Sequence, residues 1–267
     1  MEQQQGNKSI LVILNTVALV GTLVLNALAN ALPLNGKNTG EISDSIPNLF
    51  VPSGTTFAIW GLIYLLLVYL IVYQWVSLKK NSSTEDPIHS LGMWFFLSCL
   101  ANAAWIIMWH WQFQLPSLIV MLVLLTSLIV MHTKSRFPNA SLGYRIGVML
   151  PLSVYLGWIT VATIANITSV LVVLQWGRFG LSEVFWTVAV MIAAIIINLL
   201  AVILRGDIWF ALVGVWALYG IYSKRIQPEF EAVPAIVYTA IVGMIVVGIA
   251  IIIHLIVKGR KVARGEQ

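Results

Sequence analysis

Long apolar runs alternate with short polar breaks along almost the whole chain. Eight runs approach the roughly 20 residues that a helix needs to cross a bilayer. They lie near 9–32, 55–78, 90–112, 115–133, 145–170, 183–204, 207–224 and 234–257. This pattern predicts an all-α polytopic membrane protein with eight transmembrane helices in all. The longest polar connection, 33–54, carries Pro33, Gly36, Gly40, Pro47, Pro52 and Gly54 among Ser and Asn. That composition reads as turns and no helix. It runs directly into the second segment. About two residues around Gln114 separate the third and fourth segments, and Pro116 suits the first turn of the fourth, so these two form a tight antiparallel hairpin. The polar stretch Gln175 to Ser182 is the best boundary between five segments and three. No strong internal repeat supports an inverted-repeat transporter. The first segment also admits a signal-peptide reading, with Lys8 ahead of it and Ala27-Leu28-Ala29 as a cleavage site. Its length and the interrupting Asn15 and Asn26 favour a retained helix.

Composition agrees with the pattern. Hydrophobic residues make up 60% of the 267 and charged residues 9%, against roughly a quarter charged in soluble domains. The net charge of +5 sits at helix ends and forms no patch, which excludes nucleic acid as a partner. With the N-terminus inside, the inner connections hold Lys8, Lys79, Lys80, Lys134, Arg136, Arg145, Arg205, Lys258, Arg260, Lys261 and Arg264. The outer ones hold only Lys37, Arg178, Lys224 and Arg225. This asymmetry predicts a multi-pass protein of the cell (plasma) membrane with both termini cytoplasmic. Cys99 is the only cysteine and reads as a packing residue.

Depth then selects a group of side chains. Trp60 and Tyr64 share a face of the second segment's outer half. Asn102, Trp105 and Trp109 share a face of the third, and Tyr155, Trp158, Ala162 and Asn166 a face of the fifth. Three helices therefore bring aromatic rings and amides to one level beneath the long loop, an arrangement suited to a flat, largely apolar ligand. The plainer alternative is an interfacial aromatic belt with Asn residues gluing helices together. In the seventh segment Trp209, Trp216 and Tyr219 share a face. They are read as a packing seam against the five-helix unit or, less favoured, as a second aromatic surface, and Trp216 serves as a control position lying outside the pocket.

Several motifs resemble the TspO/MBR family, the tryptophan-rich sensory proteins related to the mitochondrial translocator protein. The family's F-G-P-V-W-T-x-x-Y pattern resembles Phe57-Ala58-Ile59-Trp60-Gly61-Leu62-Ile63-Tyr64, with Ala58 in place of the Pro. Its L-N-x-x-W pattern is matched at Asn102 and Trp105. Its P-Y-L-A-W-V-S-F-A-T-A-L-N pattern is matched from Val154 to Asn166 at Tyr155, Trp158, Ala162, Thr163 and Asn166. The loop from Pro47 to Gly54 resembles the family's first loop but lacks its Trp. The resemblance covers residues 1 to about 172. It implies a TspO-like five-helix bundle, to which three further transmembrane helices are added. The implied division is a five-helix unit at 1–172, a connector at 173–182, and an extension at 183–267 ending in a basic cytoplasmic tail.

The resemblance also implies binding of tetrapyrroles (porphyrin or haem) or of sterol-like hydrophobic molecules, with no cofactor required, a sensory or transport role, and often a homodimer. Implied ligand-binding residues are Trp60, Tyr64, Asn102, Trp105, Trp109, Tyr155, Trp158, Ala162 and Asn166. Pro47, Pro52 and Gly54 belong to the loop read as a lid. Two alternatives stand beside this reading: a photochemical enzyme degrading porphyrin through Trp60 and Trp158, and a membrane scaffold without ligand. Nucleophile-and-base groups, phosphate loops and metal clusters are not visible, so an enzyme is the less favoured class. A retinal Schiff base needs a lysine inside the bundle, whereas every lysine flanks a helix. Glu183, Asp207, Glu229 and Glu231 all fall at helix ends or loops, unlike the carboxylates of ion-coupled transporters. A haem clamp from His132 and His254, both near cytoplasmic helix ends, is geometrically open.

Overall fold

The polar residues that interrupt the first apolar run turn out to be its packing face. In the computed structural model, which describes residues 2–32, 34–79, 85–137, 139–230 and 233–263, α1 spans Glu2–Ala31. Pro33, Lys80, Glu231 and Arg264, used in the loop and charge readings, lie outside the described residues, as does the side chain of Lys261. Asn15 donates to Gln74 at 3.1 Å, Thr22 to the Cys99 carbonyl at 3.0 Å, and Asn26 to Asn102 at 2.8 Å. Inside a bilayer such groups need protein partners, because lipid offers none.

The connection read as turns alone contains a helix. α2 spans Thr39–Asp44, capped by Asn38, whose side chain accepts from Glu41 N while Glu41 reaches back to the Asn38 amide. Asn-x-x-Glu is a capping box, a local signal that the Gly and Pro content of the loop conceals. A 3₁₀ turn at Gly54–Ala58 leads into α3, Ile59–Lys79.

The remaining helices follow the apolar runs. α4 is Pro87–His110, capped by Asp86, and α5 is Gln114–Lys134. α6 is Leu150–Val173, entered through a short turn at Leu142–Tyr144 and a π turn at Arg145–Met149. Pro151 has no N–H to donate, and the wider turn before it accommodates that loss. α7 is Glu183–Arg205, α8 is Ile208–Arg225 and α9 is Pro234–Ala263. Gly206, with φ of 61°, makes the left-handed stop between α7 and α8.

All eight expected long helices are present and no strand occurs among the described residues. Seven are long and apolar enough to span a membrane; α8 is the exception. Its 18 residues rise about 27 Å, but two Trp, two Tyr and the closing Ser223-Lys224-Arg225 dilute its apolar run.

Five helices close a ring: α1 packs on α3 and α4, α4 on α5, α5 on α6, and α6 on α3. α7, α8 and α9 pack on one another, and α8 also packs on α6. At that last seam a Cβ on Gly157 would stand 3.0 Å from Val213 and 3.1 Å from the Phe210 carbonyl. Side-chain contacts sort the connections between two ends. Leu49 N meets Glu183 at one end, while Lys8 pairs with Asp86 at 2.6 Å and Arg136 reaches the Arg205 carbonyl at the other. Those are the groupings that the charge asymmetry predicts.

Candidate ligand-binding site

Trp60 sits at the centre of the aromatic group. Its ring centroid lies 5.4 Å from Tyr64, 6.2 Å from Trp105, 6.1 Å from Tyr155 and 6.3 Å from Trp158. Trp105 stacks on Trp109 at 5.8 Å, and Phe57 meets Trp158 edge-on at 5.8 Å. The faces read from i, i+3 and i, i+4 spacing on α3, α4 and α6 do converge. Trp105, Trp109, Tyr155 and Trp158 are buried, and Trp60 and Tyr64 are half-buried. These separations suit attractive edge-to-face and offset contacts, worth about 0.5–1.5 kcal/mol each beyond burial.

The amides serve differently from the reading of them as ligand contacts. Asn102 accepts from Asn26 at 2.8 Å and donates to the Tyr155 hydroxyl at 2.8 Å, joining α1, α4 and α6. Asn166 exchanges hydrogen bonds with Ser117 on α5, at 3.0 and 3.3 Å. Asn166 and Ala162 still line the cavity described next, but Asn102 does not border it. The unfilled donors are on the rings: the indole N–H groups of Trp105 and Trp158 are buried without a partner, as is the Thr39 hydroxyl. A tryptophan reads as apolar surface in sequence, so this donor pair carries no linear signal.

Two cavities flank Trp60. A small one of about 30 Å³ lies among Trp60, Trp105, Trp109, Trp158, Thr39 and Pro52. It has room for about one water-sized group. A larger one of about 450 Å³ opens on the other side, where Trp60 and Tyr64 face Asn26, Asn30, Glu41 and Gly54. The first is apolar and donor-lined; the second has amides and carboxylates. Pro47 borders neither.

Residues 38–57 cover the group. Trp109 Nε1 donates to the Thr39 carbonyl at 3.3 Å. The far side of this segment is held by α8. Ser53 N donates to Gly220 O at 3.0 Å, Trp216 Nε1 to Thr56 O at 3.0 Å, and buried Lys224 pairs with Asp44. Gly220 is required for this approach, since a Cβ there would fall 2.2 Å from Thr56 Oγ1 and 2.8 Å from Pro52. Trp216 is therefore tied to the loop while bordering neither cavity, so it lies outside the pocket but is coupled to what covers it. On the same face Trp216 packs on Tyr219 at 5.9 Å, and Trp209 is 45% exposed.

At the opposite end lies a buried polar trio. Asp207 Oδ2 is 2.6 Å from His132 Nε2 and accepts from Ser153 Oγ at 2.9 Å; Oδ1 caps α8 through Phe210 N at 3.2 Å. A carboxylate only accepts, so His132 Nε2 carries the proton. Burial would raise the Asp207 pKa, but the hydrogen bond and charge of His132, the Phe210 amide and the Ser153 hydroxyl outweigh it and hold the carboxyl below its ordinary range. Ser153 donates to the carboxylate, which is not the geometry of an activated nucleophile. His254 packs against Gly206 next door. His132 thus has only Nδ1 unpartnered, and no group of three metal-ligating side chains occurs among the described residues.

Comparison with known proteins is informative at the level of family. No curated protein and no solved structure matches the chain. A family model described as TSPO-like protein matches residues 12–253. The match runs from α1 into α9, so it crosses α7 and α8 as well, beyond the motif resemblance that ends near residue 172. Spanning well over half the chain, and agreeing with an all-helical membrane fold in which the motif residues of α3, α4 and α6 meet, this match establishes that the protein belongs to the TSPO-like protein family.

Proposed function

We propose that this TSPO-like membrane protein binds a flat hydrophobic ligand, a tetrapyrrole or a molecule of similar shape, in the ring cage beneath residues 38–57. The observation that carries the reading is the meeting of four buried rings and Trp60, with two buried indole N–H groups unpartnered beside a small apolar cavity. Buried donors without partners are costly, roughly 1–3 kcal/mol each. A ligand carbonyl or carboxylate would relieve that cost while the rings cover an apolar body. The cage is filled by its own side chains, so admission of a ligand requires the loop to lift and Trp60 to turn toward the larger cavity. At about 450 Å³ that cavity is in the size range of small-molecule sites, roughly 300–1,000 Å³.

In this reading the five-helix ring, residues 1–172, holds the site. The segment 183–267 beyond the connector braces the lid, and the protein works in the plasma membrane with cytoplasmic termini as a sensor or carrier. The test is titration of the detergent-solubilised protein with protoporphyrin IX and with haem, followed by Trp fluorescence. Saturable quenching that is lost in Trp158→Leu is expected. Absence of binding across both ligands overturns the reading in favour of a scaffold. New absorption bands that form only under illumination replace it with photochemical degradation through Trp60 and Trp158.

A further inference from the structure

A third cavity lies apart from the ring cage, between the end of α6 and the start of α7. It encloses about 340 Å³ and is walled by Leu171, Val172, Trp176, Trp186 and Val190, with Pro47 and Asn48 of the loop along one edge. Trp176 and Trp186 lie 5.1 Å apart, and Phe179 packs on both at 5.3 and 6.2 Å. The connector that carries this aromatic wall is held in an unusual backbone state. Gln175, Arg178 and Phe179 all take positive φ, between 51° and 55°. Non-glycine residues adopt that region at a cost and cluster in it where a ligand is clamped. Trp186 Nε1 fixes the turn by donating to the Arg178 carbonyl at 2.9 Å.

The polar groups around the cavity are unevenly satisfied. Asn48 is bonded to Thr168 at 2.7 Å, and Glu183 accepts from Leu49 N at 3.3 Å. Arg178 forms a loose ion pair with Glu183, at 3.9 Å and beyond hydrogen-bonding distance, so its fork of N–H donors makes no close charge-assisted bond with that carboxylate. Thr187 is 6% exposed and lines the cavity. A guanidinium with only a loose carboxylate partner thus stands beside an apolar interior, at the helix ends where the polar surface of a bilayer lies.

We infer that this cavity binds a single-chain amphiphile with a carboxylate head, a free long-chain fatty acid, its tail among the α6 and α7 side chains and its head on Arg178. A planar guanidinium matches a carboxylate in two parallel hydrogen bonds. Glu183, close by, disfavours a head of higher negative charge, which selects against phosphate monoesters. The site shares no residue with the ring cage, although it touches the same loop from its outer side through Pro47 and Asn48.

The experiment is photolabelling of the full-length protein in phosphatidylcholine vesicles, using a long-chain fatty acid with a diazirine in its tail and peptide mapping of the adducts. Saturable labelling of the segment from Thr168 to Val190, competed by unlabelled oleate, is expected. Loss of a charge-assisted contact should weaken it about tenfold in Arg178→Gln, while protoporphyrin quenching in that variant stays at the wild-type level. Thr187→Phe, which fills the cavity, should abolish the labelling. Arg178 is exposed, so its variant folds even if Thr187→Phe does not. Labelling spread without saturation along the lipid-facing helices, or labelling unchanged in Arg178→Gln, overturns the inference. Competition by phosphatidylglycerol equal to that by oleate overturns the carboxylate class.

Discussion

Trp216 Nε1 donates to the carbonyl of Thr56 at 3.0 Å, four residues before Trp60 and across 160 positions of chain. The bond couples α8 to the loop that covers the ring cage. Ser53 N on Gly220 O and the Lys224–Asp44 pair extend the same seam. α8 therefore braces the loop over the rings, and under the proposed function its substitutions should alter ligand exchange without touching ligand.

Truncating a ring of the cage and loosening the seam should be kinetically distinct. Trp60→Leu and Trp158→Leu remove large contact area and should weaken protoporphyrin binding roughly tenfold or more. Trp216→Leu removes one hydrogen bond, worth about 1 kcal/mol, and should weaken binding only about fivefold, through faster release. Stopped-flow Trp quenching separates the two. Equal losses in both steps for Trp216→Leu would mean that α8 forms part of the cage itself.

Lys224 and Asp44 should respond unequally to neutralisation. Lys224 is 4% exposed and lies 4.9 Å from the Phe230 ring, whereas the Asp44 side chain is 40% exposed. Asp44→Asn leaves a buried ammonium without its anion; Lys224→Met leaves a carboxylate that water can reach. The first should destabilise by about 2–4 kcal/mol and the second by less than about 1 kcal/mol. Cys99 is the only cysteine and is buried, so thermal reaction with a thiol-reactive dye reports unfolding directly. A larger loss in Lys224→Met would contradict the assignment.

Gly220→Ala tests the closeness of the loop. The added methyl meets Thr56 and Pro52 well inside contact distance, and neither neighbour is a flexible side-chain end. A cost of about 1–3 kcal/mol should fall mainly on the loop. Limited proteolysis within residues 38–57 is expected to accelerate while the helical circular dichroism of the bundle is kept.

Asp207 makes a pH-dependent contribution of known sign. Its carboxyl is held below the ordinary value of 3.8, so the folded state favours the ionised form. Its stabilisation is complete above 3.8 and is lost as pH falls through the lowered folded value. Asp207→Asn should cost roughly 3–5 kcal/mol near neutral pH, since it strands His132 in a buried site. The gap from wild type in circular-dichroism melts should narrow only as pH drops below about 4. A gap that narrows between pH 7 and 5 would show that another group carries the linkage.

Much of this architecture was written in the chain itself. Apolar run length set the helices, because backbone groups within a bilayer must bond within their own segment. Spacing of three and four set the shared faces of Trp60 with Tyr64, of Trp105 with Trp109, and of Tyr155 with Trp158, because helical geometry is local. Three decisions needed the tertiary structure. Asn102 and Asn166 became ties between helices, since the identity of an amide's partner depends on which helices adjoin. Trp216 became part of the loop's support, and Asp207 found His132 and Ser153, through contacts spanning 160, 75 and 54 positions. Periodicity fixes the direction of a side chain about its own helix axis, and only the packing of one helix against another determines what that side chain meets.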